Sequence, residues 1–217
     1  MSLIYSIGWW SYRLLFTFLF RLRIFNAERV PLHGGAILAA NHASFFDPPL
    51  VGSSLPREIN YLGRESLFKV PMLRWILHRV NALPVDRDGG GGAGLKAILN
   101  RLQAGGAIIL FPEGTRTKDG ALQPARSGIG LAVIKSEAPV IPVRVFGTRE
   151  AWGRGKSIPR PHPIAVKFGA PMTFEKLRTE SRTCSRNRLK EIYQEVADQI
   201  MLAIAGLEPC QDKETFP

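Results

Sequence analysis

Short apolar runs alternate with helical stretches through the middle of this chain, and that alternation constrains its fold more than any other feature. Six short runs are mostly apolar, as in strands buried within a sheet. They lie at 36–40, 58–62, 81–85, 107–111, 140–145 and 164–168. Helices are expected near 65–79, 94–104 and 127–137. We therefore predict an α/β fold, a single domain with a central, mostly parallel sheet flanked by helices.

The length supports one main domain. A chain of 217 residues can bury one sizeable core but is short for two typical enzyme domains. The predicted main domain occupies 26–208, after an N-terminal helix within 1–25 and before a tail at 209–217.

Two further segments complete this outline. A last helix is predicted over 185–205, where apolar residues recur at helical spacing between an N-cap at Ser185 and a stop at Gly206. The stretch 147–163, rich in Gly, Pro and Arg, is expected to be a long loop.

The N-terminal segment has features of a membrane-interface helix. Residues 3–20 are mostly apolar and aromatic, and as a helix they are just long enough to cross a bilayer. Arg13 lies mid-segment, where a charge is costly in hydrocarbon, and Trp9, Trp10 and Tyr12 lie beside it. This pattern favours an interface helix over a signal peptide or a helix wholly buried in the core. Whether residues 3–20 span the bilayer or lie on its surface stays open.

The charge balance predicts anionic partners. Lys+Arg 29 against Asp+Glu 18 gives a net charge of +11, which suits nucleic acid, an anionic membrane surface or an acidic substrate. The two cysteines, Cys184 and Cys210, have neither metal-ligand spacing nor a disulfide framework, which favours a reducing, cytosolic-side location. An apolar fraction of 45% with 22% charged residues argues against wholesale disorder and against a multi-pass membrane protein.

Two polar clusters directly follow predicted strands. The run 36–40 leads into a segment with Asn41, His42, Ser44 and Asp47, and the run 107–111 leads into Pro112, Glu113, Gly114, Thr115 and Arg116. Because ligands of open α/β sheets bind at the carboxyl ends of the strands, we expect both clusters to open onto one crevice.

The residue types suggest a general base beside a phosphate site. His42 and Asp47 can meet only if the chain turns between them, and the two prolines after Asp47 prevent a helix from running through the aspartate. A carboxylate on one imidazole nitrogen leaves the other nitrogen as a base. Arg116 offers planar recognition of phosphate, beside a glycine that lets a ligand approach the backbone. Taken alone, the spacing of His42 and Asp47 favours a loop histidine beside an Asp-Pro turn. The alternative for the second cluster is a strand-to-loop turn with a surface ion pair, and Ser44 suits a turn cap and a substrate contact equally.

Together these segments resemble the glycerolipid acyltransferase family, whose members include the 1-acylglycerol-3-phosphate acyltransferases. His42 and Asp47 match the family's N-H-x-x-x-x-D block, and 111–116 matches its F-P-E-G-T-R block completely. The second block is similar to 63–87, and the fourth to 140–143. The four blocks follow the family's order, and the main departure is the glycine run after Arg87.

The resemblance implies roles for these residues. His42, oriented by Asp47, would remove a proton from the free hydroxyl of a lysophospholipid, whose oxygen then attacks a thioester. Glu113, Gly114, Thr115 and Arg116 would hold the glycerol phosphate of the acceptor, assisted by Arg64 or Arg87, for which sheet-edge ion pairs are the alternative. No metal or redox cofactor is implied.

The implied reaction transfers an acyl group from acyl-CoA or acyl carrier protein to 1-acylglycerol-3-phosphate, giving phosphatidic acid in phospholipid biosynthesis. The enzyme would bind the anionic cytoplasmic face of the cell membrane and no nucleic acid. The open alternatives are an acyltransferase for another lysolipid (lyso-ornithine lipid or lysophosphatidylethanolamine), a non-catalytic membrane lipid-binding protein, and a nucleic-acid-binding protein suggested by charge alone.

Overall fold

The computed structural model describes residues 2–85 and 92–209 and contains one seven-stranded sheet with helices on both faces. The strands are β1 (Arg23–Phe25), β2 (Ala36–Ala40), β3 (Ile59–Arg64), β4 (Ala82–Val85), β5 (Ala107–Leu110), β6 (Val140–Phe146) and β7 (Ala165–Phe168). The α-helices are α1 (Leu3–Phe20), α2 (Asp47–Ser53), α3 (Pro71–Arg79), α4 (Gly92–Gln103), α5 (Ser127–Lys135), α6 (Thr148–Trp152), α7 (Glu175–Ser181) and α8 (Arg186–Ala205). Short 3₁₀ helices lie at Ala27–Arg29 and Glu65–Lys69.

The sheet is mostly parallel, as predicted. Its strand order is β1-β7-β6-β2-β5-β3-β4, and the five strands from β6 to β4 are all parallel. β7 is antiparallel to β6, and β1 pairs in parallel with β7. The carboxyl ends of β2, β3, β4, β5 and β6 therefore lie along the same edge of the sheet, which is where an α/β fold places its ligands.

Two helical layers cover the sheet. Alternate residues of β2 point to opposite faces, so Leu38 packs in one cluster with Phe16, Phe20 and Leu50 of α1 and α2. Ile37 packs in the other cluster with residues of α4, α5 and α8. α3 is on the α1 side, because right-handed crossovers put the β2–β3 and β3–β4 connections on the same face.

All six apolar runs form strands, and the α/β prediction is confirmed. The expected helix over 65–79 is divided at Val70, since the following proline restricts Val70 to an extended backbone (φ −86°, ψ 116°). The stretch 147–163 contains α6, so the expectation of a continuous loop was wrong. α8 begins and ends as predicted: the Ser185 hydroxyl accepts a hydrogen bond from the Arg188 amide, and Gly206 is the C-cap.

The N-terminal helix has a buried face and an exposed face. Phe16 and Phe20 are in the core, while the Trp9 indole donates to the Leu55 carbonyl (2.8 Å) and Arg13 donates to the Ser53 carbonyl (3.3 Å). The opposite face exposes apolar side chains, among them Phe18 at 81%. Within the two described ranges, no helix combines the length and hydropathy needed to cross a bilayer.

The predicted boundary at residue 25 does not separate two units, because β1 lies before it and pairs with β7. Arg87, most of the glycine run and the tail from residue 210 lie outside the described residues.

Candidate active site

The chain turns sharply after β2 and brings His42 onto Asp47. Asp47 is fully buried at the first position of α2. Proline is tolerated at the next position because the amides of the first helical turn have no partner within the helix. One of its carboxylate oxygens, Oδ2, accepts from the amides of Ala43 (2.6 Å) and Ser44 (2.7 Å) and lies 2.8 Å from Nδ1 of His42. The predicted pairing of His42 with Asp47 is present in the structure.

These contacts fix the tautomer of the imidazole. Because an ionised carboxylate only accepts hydrogen bonds, we assign the proton of the third contact to Nδ1 of His42. Nε2 then carries the lone pair, and Asp47 can stabilise the imidazolium that forms when Nε2 takes up a proton. The Phe111 ring stacks on the imidazole with centroids 3.9 Å apart, which further restricts its rotation.

The Ser44 side chain stabilises this turn. It is fully buried, accepts from the Phe46 amide (3.1 Å) and donates to the Trp152 carbonyl (2.6 Å). Of the two roles considered for Ser44, the geometry corresponds to the turn cap.

Glu113 connects the second polar cluster to the first. Its side chain is buried, one carboxylate oxygen accepts from the His42 amide (2.8 Å), and the other accepts from the Gln123 amide (3.1 Å). Burial raises the pKa of Glu113 above its ordinary value, although these two backbone hydrogen bonds oppose the shift. This position differs from the expected contact with the acceptor: Glu113 holds the backbone of the histidine instead.

The residues after Glu113 turn toward solvent. Gly114 has φ +70°, and a Cβ there would come within 2.9 Å of the Arg126 side chain, so both backbone and space favour glycine. Thr115 is exposed, and the guanidinium of Arg116 lies 3.6 Å above the centre of the Phe45 ring. This cation–π contact orients Arg116 beside the turn that carries His42.

A cavity of about 540 Å³ opens beside the imidazole. Its lining includes three arginines and no acidic residue among those described: His42, Phe45, Pro48, Leu62, Gly63, Arg64, Leu67, Thr115, Arg116 and Arg154. Each arginine offers five hydrogen-bond donors in a planar fork. Three arginines beside the basic nitrogen of His42 therefore favour an anionic ligand that carries a hydroxyl.

An apolar groove adjoins the cavity. It encloses about 430 Å³ between α1, α2, β3 and α3. Five residues line both spaces: Phe45, Pro48, Leu62, Gly63 and Leu67. Most of the other groove residues are aromatic or aliphatic, among them Tyr5, Trp9, Tyr61, Ile76 and Leu77. A ligand with an anionic head and an acyl chain could therefore occupy both spaces at once.

The structure brings together most of the predicted site. His42, Arg64, Thr115 and Arg116 line the cavity, Asp47 and Glu113 support it from within, and Arg87 lies outside the described residues. Within those described residues, no three His, Cys, Asp or Glu side chains are grouped to hold a metal ion.

Sequence reasoning missed Arg154 and Phe45. Arg154 follows β6, and the Arg-rich composition of 147–163 was the available signal for it. Phe45 lies between His42 and Asp47, and the chemistry predicted for this segment involved only these two titratable residues and not the aromatic side chain between them.

The fold and the site place a histidine–aspartate pair beside a cavity lined by arginines at the carboxyl edge of a mostly parallel sheet, an arrangement characteristic of α/β enzymes. Within that class the chain belongs to the acyltransferase family, whose model matches residues 21–146. The resemblance seen in the sequence is confirmed.

Three curated relatives illustrate the similarity. The chain is 28% identical over 139 residues to the 1-acyl-sn-glycerol-3-phosphate acyltransferase of Bacillus subtilis, covering 62% of this chain and 69% of the relative. It is 29% identical over 140 residues to the enzyme of that description from Cocos nucifera, covering 63% and 46%. It is 26% identical over 144 residues to the lyso-ornithine lipid O-acyltransferase of Pseudomonas aeruginosa, covering 65% and 54%. The match thus spans about half the length of the last two relatives.

A solved structure shares the fold. The 1-acyl-sn-glycerophosphate acyltransferase PlsC from Thermotoga maritima superposes with a TM-score of 0.69 at 23% identity, covering 95% of this chain and 80% of that one.

Proposed function

We propose that this protein is a 1-acylglycerol-3-phosphate O-acyltransferase, which forms phosphatidic acid from lysophosphatidate and a thioester donor. The observation that carries the proposal is a pair of adjoining spaces that share five lining residues: a cavity lined by the His42 imidazole and three arginines, and an apolar groove beside it. Phosphate, hydroxyl and acyl chain are the three parts of such a substrate, and each has a chemically matched surface in these spaces.

The proposed reaction needs one base and correct positioning. Nε2 of His42 removes the proton from the acceptor hydroxyl as its oxygen attacks the thioester carbonyl carbon. The tetrahedral intermediate collapses, the C–S bond breaks, and the thiolate takes the proton back from the imidazolium. Asp47 stabilises that imidazolium through the 2.8 Å contact. Because thioesters are already activated, no covalent acyl-enzyme is required.

Arg116 and Arg64 are proposed to bind the phosphate, with Arg154 as a third candidate, since all three line the cavity. Arg87 keeps the role suggested by the family resemblance. The apolar groove is proposed to hold a fatty acyl chain, from either acyl-CoA or acyl carrier protein.

The enzyme is proposed to act at the cytoplasmic face of the cell membrane, where lysophospholipid acceptors reside. The exposed apolar side chains of α1 and the net charge of +11 support binding to an anionic leaflet.

A second candidate acceptor is lyso-ornithine lipid, which the similarity to the Pseudomonas aeruginosa enzyme favours. The three cavity arginines favour the phosphorylated acceptor, because a phosphate can accept several charge-assisted hydrogen bonds at once.

An acceptor panel tests the proposal. Purified protein is given lysophosphatidate, lyso-ornithine lipid, lysophosphatidylethanolamine or monoacylglycerol with each donor, and product mass is recorded. We expect phosphatidic acid as the main product.

His42→Ala should lower the formation of phosphatidic acid about 10²- to 10⁴-fold, the usual scale for loss of a general base, and Asp47→Asn should also be severely impaired. Wild-type turnover by a well-folded His42→Ala variant would rule out this mechanism, and exclusive acylation of lyso-ornithine lipid would rule out the proposed acceptor.

A further inference from the structure

Helix α3 exposes apolar side chains on a surface that the catalytic proposal does not use. None of its residues is buried. Met72 is 74% exposed, Trp75 is 52% exposed, and Val70, just before the helix, is 49% exposed. Large apolar side chains grouped on one short segment are characteristic of a binding surface.

Cations surround these apolar side chains. Lys69, Arg74 and Arg79 lie on or beside α3, and the sequence has no acidic residue from 66 to 85. The guanidinium of Arg79 lies 4.9 Å from the centre of the Trp75 ring. A hollow of about 380 Å³ is lined by these three cationic side chains together with Phe68, Pro71, Trp75 and His78. The surface is therefore both apolar and basic.

The helix also borders the apolar groove of the candidate site. Ile76, Leu77 and Val80 line that groove from the α3 side, and Tyr5, Trp9 and Tyr12 line it from the α1 side. Met72, Trp75 and Arg79 follow i, i+3, i+7 spacing and so share a different side of the helix. α3 thus has one side on the groove and another free to bind a partner.

We propose that the α3 surface, comprising Lys69, Val70, Met72, Arg74, Trp75 and Arg79, is a second membrane-binding element that docks on an anionic lipid leaflet. Met72, Trp75 and Val70 enter the interface, and the cations pair with lipid phosphates. The groove then opens between two membrane-bound helices, α1 and α3. Its use as an entry for lipid acceptor rests on the proposed function, whereas the docking of α3 does not.

The composition of the surface favours a leaflet over an acidic protein. Protruding Met and Trp side chains with cations around them match the boundary between acyl chains and anionic headgroups. The position of α3 across the groove from α1 places both exposed apolar faces on the same side of the sheet. Binding of an acidic carrier protein would involve the cations but would not account for the three exposed apolar side chains.

Vesicle binding by the full chain tests this proposal. Met72→Ser/Trp75→Ser should weaken partitioning into vesicles of phosphatidylglycerol and phosphatidylcholine by about tenfold or more, because two large apolar side chains no longer leave water. Arg74→Gln/Arg79→Gln should lose roughly fivefold per removed charge on those vesicles, and little on pure phosphatidylcholine. Leu202→Ser is the matched control, since Leu202 is 72% exposed on α8, on the other face of the sheet.

The charge variant keeps the proposal testable if the apolar variant does not fold. Wild-type partitioning by the folded variants would overturn the proposal. If the variants bind vesicles like wild type but no longer use acyl carrier protein as the acyl donor, the proposal is also overturned, and the surface is then a binding site for that carrier. Failure of the enzyme on every lysolipid would defeat the proposed function alone, because partitioning is measured without substrate.

Discussion

At the scale of single residues, His42 is held through its side chain, its backbone and its ring. Nδ1 contacts Asp47, the amide donates to Glu113, the carbonyl accepts from Thr117 (2.8 Å), and Phe111 stacks on the imidazole. The orientation of His42, the proposed base, is thus fixed before any substrate binds. Such preorganisation matters because a small displacement of a reacting group costs much of its rate advantage.

Arg116 is expected to determine the preference for a phosphorylated acceptor. Arg116→Ala should lower the ratio of kcat/KM for lysophosphatidate to that for monoacylglycerol by roughly ten- to a hundredfold, the cost of a lost charge-assisted hydrogen bond. Arg116→Lys should remain impaired, because lysine keeps the charge but lacks the planar fork. Arg101→Ala, at an exposed position on α4, is the control. An unchanged ratio in Arg116→Ala would place the phosphate elsewhere.

Glu113 is expected to support the site through the backbone of His42. A carboxylate offers two acceptors for the His42 and Gln123 amides, whereas the amide of Glu113→Gln offers one, so an amide loses its partner. The variant should lose about 1–3 kcal/mol of unfolding free energy, measured by urea denaturation. Its kcat should fall more than its affinity for the acceptor, since the base moves while the cavity arginines remain.

The difference in unfolding free energy between wild type and Glu113→Gln should depend on pH, in a direction that follows from the pKa of Glu113. The pKa of Glu113 is raised in the folded protein, chiefly by burial, so its contribution to stability is present below the unfolded pKa and is lost as pH rises through the folded pKa. The stability advantage of wild type over Glu113→Gln should therefore shrink from about pH 4 to pH 7. An advantage that grows over this range would contradict the assigned direction.

At the scale of elements, sequence pattern was sufficient for the buried strands and the long helix α8. Each strand predicted from an apolar run is in the sheet, and the central strands β2 and β5 are wholly apolar because every one of their residues is buried. β1 was missed since it has only three residues, half-buried at the edge, and its pairing with β7 depends on segments far apart in sequence.

Local sequence was insufficient where long-range contacts decide the structure. The two prolines after Asp47 were predicted to prevent a helix from running through the aspartate, and α2 does begin at Asp47; the sequence did not show that both prolines lie in the first turn of that helix. The pairing of His42 with Asp47 was predicted, whereas the role of Glu113 was not. Its partners are backbone amides, one of them 71 positions away, and no side-chain pattern marks them.

Packing between α5 and α8 depends on a close approach at Gly130. A Cβ at this position would lie 1.8 Å from the Tyr193 carbonyl oxygen, so Gly130→Ala must separate the two helices. We expect a loss of at least about 1–3 kcal/mol, the usual cost of overpacking a core. Gly128→Ala, in the same helix with no atom within 4 Å of its Cβ, should be neutral or gain up to about 1 kcal/mol. Urea denaturation of both variants measures the difference, and equal stabilities would contradict this packing.

At the scale of the whole molecule, the site lies where the carboxyl edge of the sheet meets the layer of α1, α2 and α3. The parallel strands deliver His42, Arg64 and Arg116 to one edge, and the helical layer adds the apolar groove. The arrangement makes α1 part of the catalytic domain as well as a proposed membrane contact. Removing residues 1–25 would also remove β1 and two core phenylalanines, so such a deletion would not test the proposed membrane contact by itself.

Two phenylalanines of α1 distinguish its packing in the core from its proposed membrane contact. Phe16 is fully buried against Phe46, with ring centroids 5.2 Å apart, whereas Phe18 is 81% exposed. Phe16→Ser should lose about 3–5 kcal/mol of unfolding free energy, because it leaves a cavity and buries a hydroxyl. Phe18→Ser should stay within about 0.5 kcal/mol of wild type yet partition into anionic vesicles roughly tenfold less. Thermal unfolding and vesicle sedimentation of the same preparations distinguish the two effects. Wild-type partitioning by Phe18→Ser would show that the exposed face of α1 does not enter the membrane interface.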